Sequence, residues 1–335
     1  YSIPCATTDH REVLADPEVQ AVVIATRDDV HVPLTLEALA AGKHVYVEKP
    51  LAETPEGCDR VVAAQRESGK HVAVGFNRRL SPAYTLAREI LDAHGGARNL
   101  YYRISDTYWI WGARYTPRTR VIHEVCHIFD ILRFLTGSEP VSVYAVESRP
   151  DDELFTLKFA NGTVATIMSS GYLHCDMPKE YLEAVAEKGA LTVTDFVELR
   201  TFGFPDREPL YRFPGHVHPD RDHVQRYLFA KEGAEALLNV RRVAYEAWLR
   251  LEELRRTGAQ TPERAELENY QSRHAPHINY MVDKGWLQAI DHFAYCIASG
   301  ETPRNANAYD GLRAAQVTAA AIKSRDTGQV VAIAG

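Results

Sequence analysis

Short apolar runs alternate with helical periodicity over the first third of the chain. The apolar runs predict strands at 20–26, 44–47 and 71–74. The periodic stretches predict one helix that ends at Gly42 and a second helix over 55–68, which Gly69 ends. Because strands and helices alternate through short loops, we expect a parallel sheet with helices on its faces.

The pattern changes from about residue 98 onward to strands that follow one another. Period-two alternation predicts strands at 100–105, 141–148, 153–159, 163–169, 180–186 and 190–195. The dipeptide Asn161-Gly162 predicts a tight hairpin between two of them. Consecutive strands favour an antiparallel sheet, and a helix predicted over 119–136 makes this half an α+β domain.

The last third of the chain is predicted to hold a long loop and several helices. The loop is expected at 203–223, a charged helical segment at 224–257, and amphipathic helices at 286–298 and 308–325. We therefore predict two domains. Residues 1–97 form a partial Rossmann-like dinucleotide-binding domain. Residues 98–335 form an α+β substrate and dimerisation domain with an open antiparallel sheet, an insertion at about 206–280, and a C-terminal helix that packs back on the first domain.

Composition and charge exclude several classes of protein. The chain has 38 Lys and Arg against 45 Asp and Glu, a net charge of -7 without a basic stripe, so we expect no nucleic-acid partner. No window reaches the roughly 18 consecutive apolar residues of a membrane span, and the start does not resemble a signal peptide. We expect a cytoplasmic protein with no membrane partner.

Polar residues follow each of the first three predicted strands. They are Thr26-Arg27, Glu48-Lys49-Pro50 and Asn77-Arg78. Ligands of parallel sheets bind at the carboxyl ends of the strands, so these residues should line one cleft. A lysine there can donate a hydrogen bond to a substrate hydroxyl and stabilise a developing alkoxide. Asn77 and Arg78 can bind hydroxyls or a carboxylate.

The helix predicted over 119–136 carries a second set of candidate groups. His123, His127 and Asp130 have spacings that place them on one helical face, where they could act in proton transfer or substrate binding. The letters HEVCH also match the HExxH zinc pattern, although nothing downstream completes a metallopeptidase. A metal held by His123 and His127 is therefore an alternative, with Asp130 or one of three loop histidines as a further ligand. The loop histidines are His216, His218 and His223.

An aromatic cluster precedes this helix. Tyr108, Trp109 and Trp111 could stack on the C–H faces of a sugar ring, and we predict Tyr108 and Trp109 as substrate contacts. Packing in a hydrophobic core explains such clusters equally well.

Four ordered segments resemble one family of enzymes. ATRDDVHVPLTLEALAAGKHVYVEKPLAET, VGFNRR, HIFDILRFLTG and SGETPRNANAYDGLRAAQVTAAAIKSRDTGQVV are similar in sequence and spacing to the glucose-fructose oxidoreductase/inositol dehydrogenase (Gfo/Idh/MocA) family. The resemblance implies an NAD- or NADP-dependent dehydrogenase or reductase that acts on a sugar, inositol or sugar derivative. It also implies a homodimer or higher homo-oligomer.

The resemblance also assigns roles to particular residues. Lys49 and His127 match the acid/base residues of the family, and His123 stands where many members have an aspartate. By the same resemblance, the cofactor would be contacted by Thr26, Arg27, His31, Glu48 and Pro50.

One part of the family pattern is not found in these 335 residues. The first glycine is Gly42, so no GxGxxG loop precedes the first predicted strand, and we expect the N-terminal half of the dinucleotide domain to be missing or to lie in a fused or separate upstream module. Two further alternatives follow. The chain could be a metal-assisted or acid/base lyase or hydrolase on the same fold, with zinc as its metal, or it could be a non-catalytic partner subunit.

We predict that the 335-residue chain alone binds NAD(H) and NADP(H) weakly. Without the backbone N–H donors of a glycine loop, the pyrophosphate loses charge-assisted hydrogen bonds worth roughly 1.5 to 3 kcal/mol each. Binding should be about tenfold to a thousandfold weaker than in the chain extended by its natural upstream segment. Calorimetric titration of both chains measures the difference, and micromolar binding to the short chain would contradict the prediction.

Overall fold

The computed structural model describes residues 3, 5–105, 117–172, 177–215, 229–258, 260–273 and 282–333. The α-helices are α1 (His10–Ala15), α2 (His31–Ala40), α3 (Pro55–Ser68), α4 (Pro82–Ala93), α5 (Cys126–Thr136), α6 (Ala234–Thr257), α7 (Pro262–Arg273), α8 (Trp286–Ser299) and α9 (Ala308–Thr327). The strands are β1 (Ala21–Ile24), β2 (His44–Val47), β3 (Val72–Val74), β4 (Asn99–Ser105), β5 (Pro140–Arg149), β6 (Asp152–Phe159), β7 (Val164–Ser170), β8 (Glu180–Val185), β9 (Ala190–Thr194), β10 (Glu198–Phe202), β11 (Leu210–Arg212) and β12 (Val331–Ala332).

The first sheet is parallel, as the alternation of strands and helices predicts. Its order is β1-β2-β3, and both pairs of strands are parallel. Local signals fix the helix between β2 and β3. The side chain of Thr54 accepts a hydrogen bond from the Gly57 N–H at the start of α3, and Gly69, with φ of 64°, ends the helix. The predicted Rossmann-like sheet is therefore confirmed, and the carboxyl ends of its strands lie at one edge.

The predicted antiparallel sheet is confirmed as the second sheet, although one of its strand pairs is parallel. Its order is β11-β10-β9-β8-β4-β7-β6-β5-β12, and β4 pairs in parallel with β7. The difference arises because α5 and a hairpin separate these two strands along the chain, and a long connection with a helix allows parallel pairing. The hairpin at Asn161-Gly162 is confirmed, since β6 and β7 are antiparallel and Gly162 has φ of 87°.

One face of this sheet packs on the helices and the other faces outward. Along β6, Phe155 and Leu157 are buried, whereas Leu154 and Lys158 are exposed. The outward face also exposes Tyr144 on the neighbouring strand β5. The homo-oligomer predicted from the family resemblance stays a prediction. Across the described ranges, no helix combines the length and the apolar composition that a membrane span needs.

Several elements differ from the sequence-based predictions. The predicted loop at 203–223 contains β11, and β10 and α4 were not predicted. β11 has only three residues and is defined by pairing with β10, which a local pattern does not reveal. α4 has local signals that could have identified it, because Ser81 caps the helix and Pro82 occupies its first turn.

The helix α9 connects the two sheets. It packs against α3 beside the first sheet and against β5 of the second. At its start, Asp310 forms a capping box with Asn307 and accepts ion pairs from Arg79 at 3.0 Å and Arg133 at 2.9 Å. Arg133 also pairs with Glu139. This network of mostly buried charges connects α5, the end of the first sheet and the start of α9.

We predict that Asp310→Asn lowers the free energy of unfolding by about 3 kcal/mol, because it removes the charge that two largely buried arginines share. Urea denaturation measures the change. Asp326→Asn at the exposed end of the same helix is the matched control, since exposed pairs contribute about 0 to 1 kcal/mol. Equal effects of the two substitutions would show that the network does not stabilise the fold.

Candidate active site

Lys49 lies just beyond the carboxyl end of β2, as predicted. The Lys49-Pro50 peptide bond is cis. The Lys49 ammonium donates a hydrogen bond to the backbone carbonyl of His123, and no carboxylate lies within ion-pair distance among the described residues. An ammonium has three N–H donors. Two of these donors therefore have no partner in the part of the chain that the structure describes.

The residues predicted to contact the cofactor differ in their exposure to solvent. Thr26 and Arg27 are exposed beyond the end of β1. His31 is buried, with Nδ1 2.8 Å from the carbonyl oxygen of Pro50 and Nε2 3.2 Å from that of Thr26. Its imidazole thus connects the ends of β1 and β2. Cofactor contact remains a prediction for all of these residues.

Glu48 is half-buried beside Gly75 at the end of β3. A Cβ at Gly75 would lie 2.8 Å from Oε2 and 3.2 Å from Cα of Glu48, so a larger residue would displace this carboxylate. The backbone N–H of Lys49 donates to the same oxygen at 3.3 Å. The close approach of β2 and β3 therefore fixes the orientation of the Glu48-Lys49 peptide.

The helix predicted over 119–136 is interrupted. Residues Val121–Val125 form a π-helical turn, and α5 follows from Cys126. A π turn closes i→i+5 hydrogen bonds, so this segment departs from the register of a regular α-helix. His123 directs Nδ1 to Asp28 at 3.2 Å, whereas the ring of His127 packs edge-on against Phe76 at 5.7 Å.

The positions of these side chains test the alternative of a metal bound by His123 and His127. Among the described residues, no group of three or more His, Cys, Asp and Glu side chains could hold a metal ion. The histidines at 216, 218 and 223 lie outside the described residues, as do Tyr108, Trp109 and Trp111.

His127 is buried, with 6% of its surface exposed, and its Nδ1 has no hydrogen-bond partner among the described residues. Burial, together with the nearby cations Arg78 and Lys49, lowers the pKa of His127 well below its usual value. The imidazole is therefore neutral at physiological pH. A neutral imidazole can accept a proton from a ligand.

Glu124 lies at the centre of a group of charges that the sequence did not predict. It pairs with Lys179 at 3.1 Å and with Arg78 at 3.8 Å. Burial opposes its ionisation, but Lys179, Lys49 and Arg78 outweigh this effect and hold the pKa of Glu124 well below its usual range. The residue that would be the general base of a zinc peptidase is thus a counter-ion of cations.

Arg78 lies at the end of the first sheet and pairs with Glu180 of the second sheet. Two parallel hydrogen bonds of 2.8 Å join them, and Tyr102 donates a third to Glu180 at 2.8 Å. Lys284 approaches the same carboxylate at 3.4 Å. Burial opposes the ionisation of Glu180, but Arg78 and Lys284 lower its pKa to about 2. Glu180 and Lys284 carry no recognisable motif in the sequence, so only the fold brings them to this site.

Two predicted substrate-binding residues have partners within the protein. The Asn77 amide donates to the Lys284 carbonyl at 2.6 Å. Asp130 is buried, and both of its oxygens accept hydrogen bonds from Arg79. Arg78, not Arg79, was predicted to lie at the cleft, and in the structure Arg78 pairs with Glu180 and Arg79 with Asp130. Substrate binding by Asn77 and Asp130 stays a prediction that these contacts do not favour.

Two family models match the chain. "Oxidoreductase family, NAD-binding Rossmann fold" matches residues 1–76 and "GFO/IDH/MocA C-terminal domain" matches residues 97–192, so the two cover 76 and 96 residues of 335. An inositol 2-dehydrogenase of Burkholderia lata is 31% identical over 198 residues, which are 56% of this chain and 58% of that protein. The chain thus spans less than two thirds of the length of this relative.

Solved structures extend the comparison to the fold of nearly the whole chain. A myo-inositol dehydrogenase of Lactobacillus casei, in complex with NAD(H) and myo-inositol, covers 98% of this chain and 82% of its own, with a TM-score of 0.66 and 20% identity. An oxidoreductase of Agrobacterium radiobacter, in complex with NAD+, L-tartaric acid and magnesium, covers 97% and 83%, with a TM-score of 0.72 and 16% identity. Because two models of one family match consecutive parts of the chain, and both of its sheets have the fold of these enzymes, the chain belongs to the Gfo/Idh/MocA family of oxidoreductases.

Proposed function

We propose that this chain interconverts a secondary alcohol and a ketone on a sugar, an inositol or a related polyol, with NAD or NADP as the hydride carrier. The observation that carries the proposal is that two N–H donors of Lys49 and the Nδ1 atom of the neutral His127 have no hydrogen-bond partner among the described residues. Lys49 is close enough to lower the pKa of His127. The name of the inositol 2-dehydrogenase relative supports a polyol substrate.

The residues at the edge of the first sheet fit a nicotinamide dinucleotide. Thr26 and Arg27 offer exposed polar groups at the end of β1, and the half-buried Glu48 lies beside them at the end of β2. These groups and Pro50 would hold the nicotinamide side. His31 would position the backbone at Thr26 and Pro50, because its imidazole lies within hydrogen-bond distance of both carbonyl oxygens. When bound, the nicotinamide ring accepts or supplies the hydride.

In the proposed reaction, His127 moves the proton and Lys49 stabilises the developing charge. In the oxidative direction, His127 would accept the proton of the substrate hydroxyl, because its imidazole is neutral. Lys49 would donate a hydrogen bond to the same oxygen and stabilise the negative charge that develops as the hydride leaves its carbon. In the reductive direction, His127 returns the proton. His123 would contribute mainly its carbonyl, which orients the ammonium of Lys49.

Lys49→Ala is expected to lower turnover by at least about a hundredfold without unfolding the protein, because the one hydrogen bond of the ammonium within the described ranges is to a backbone carbonyl. The measurement is the absorbance change of the nicotinamide with myo-inositol and a panel of aldoses, together with a thermal melt. Lys323→Ala removes an exposed lysine of α9 and is the control. Unchanged turnover in Lys49→Ala would remove the lysine from the mechanism.

The two histidines of the HEVCH segment should respond differently. His127→Gln should lower kcat by about a hundredfold or more, since glutamine cannot accept the proton. His123→Gln should cost much less, because the substitution retains the carbonyl that binds Lys49. Steady-state kinetics of both variants decide this point, and equal losses would assign the His123 ring a direct role in the chemistry.

A further inference from the structure

Lys284 is a buried cation with few partners. It precedes α8, and 5% of its surface is exposed. Among the described residues, its ammonium has one polar contact, at 3.4 Å from Glu180 Oε1. The rings of Phe196 and Trp286 lie 5.4 and 5.7 Å away and stabilise a cation, but they are weak acceptors. Two N–H donors of Lys284 are therefore unassigned.

Lys284 shares the carboxylate of Glu180 with other hydrogen-bond donors. Both oxygens of this carboxylate accept 2.8 Å hydrogen bonds from Arg78, and one accepts a further bond from Tyr102. The neighbouring Asp283 directs its carboxylate to the Gly285 N–H and the Gln288 amide. Lys284 thus shares the Glu180 carboxylate with Arg78, at the longer distance of 3.4 Å. Burial lowers the pKa of Lys284 to about 8 in spite of Glu180, as expected for an ammonium with too little negative charge around it.

The charges around His127 define what a ligand must bring. Arg78 is matched by Glu180, and Glu124 is matched by Lys179. Among the described residues, Lys49 has no carboxylate within ion-pair distance, and Lys284 has only the carboxylate that Arg78 already uses. Both cations lower the pKa of His127. Lys49 is committed to the reacting hydroxyl in the proposed mechanism. One surplus positive charge is left, and it corresponds to a ligand with a single negative charge.

We propose that the substrate is a sugar or polyol acid and that Lys284 binds its carboxylate while Lys49 and His127 act on a hydroxyl of the same molecule. This inference rests on the proposed function and names its substrate class. A carboxylate accepts several hydrogen bonds and carries one charge, so it satisfies the two unassigned donors of Lys284. A phosphate ester carries up to two charges and would exceed the surplus.

The test compares ligands that differ only in charge. Glucuronate and glucuronamide have nearly the same shape, and calorimetry with NADH in excess measures the binding of each. The wild-type protein should bind the acid about tenfold to a hundredfold more tightly than the amide, the effect of one charge-assisted hydrogen-bonded pair. Gluconate and galacturonate, each compared with its amide, extend the panel to other positions of the carboxylate.

Two variants at Lys284 and a control show where the preference arises. Lys284→Met should bind acid and amide equally, whereas Lys284→Arg should retain a preference for the acid. Lys158→Met, on the exposed face of the second sheet, should behave as the wild type. If no acid binds more tightly than its amide, if Lys284→Met keeps the preference, or if glucose 6-phosphate binds more tightly than every acid, the inference is wrong.

Separate measurements of binding and turnover distinguish a failure of this inference from a failure of the proposed function. Oxidation of neutral polyols without a preference for acids would contradict the role of Lys284 and leave the oxidoreductase proposal intact. Tight, Lys284-dependent binding of an acid without hydride transfer to NAD or NADP would support the carboxylate site and contradict the proposed reaction.

Discussion

The position of the first sheet relative to the second depends on the buried ion pair between Arg78 and Glu180, in addition to the contacts of α9. Arg78 lies at the end of the first sheet and Glu180 lies in the second, so the pair fixes the two sheets relative to each other. Removing two charges from water is costly, and only good geometry and further hydrogen bonds offset that cost. The two parallel bonds and the contribution of Tyr102 meet this requirement. Because Arg78 occupies both oxygens of Glu180, Lys284 reaches this carboxylate only at the longer distance of 3.4 Å.

The sequence predicted the parts of this fold that local patterns determine. The bounds of β2 and α3 agree with the prediction, since an apolar run, a threonine cap and a final glycine are all near in sequence. Lys49 was predicted for the same reason, as a polar residue after a buried strand. The partner of Arg78 is 102 residues away. A glutamate in an alternating strand and a lysine before α8 have no local feature that marks them as part of a site.

The HEVCH segment shows how a motif can match while its geometry differs. The zinc pattern depends on regular α-helical backbone, which would place His123 and His127 side by side. The π turn at Val121–Val125 changes this register and sends the ring of His123 to Asp28. It also leaves the carbonyl of His123 to accept the hydrogen bond of Lys49. The interruption of the helix therefore helps to build the candidate site, and spacing alone could not show it.

A segment outside the two family models also supports the site. Arg241 on α6 pairs with Asp195 at 2.5 Å, and Asp195 accepts the backbone N–H groups of Lys179 and Glu180. Asp195 and Phe196 have positive φ angles, which only a well-supported turn retains. Arg241 compensates the charge of Asp195. It therefore stabilises the turn that positions Lys179 and Glu180. The helix α6 is thus connected through Asp195 to the backbone of Lys179 and Glu180, whose side chains pair with Glu124 and Arg78.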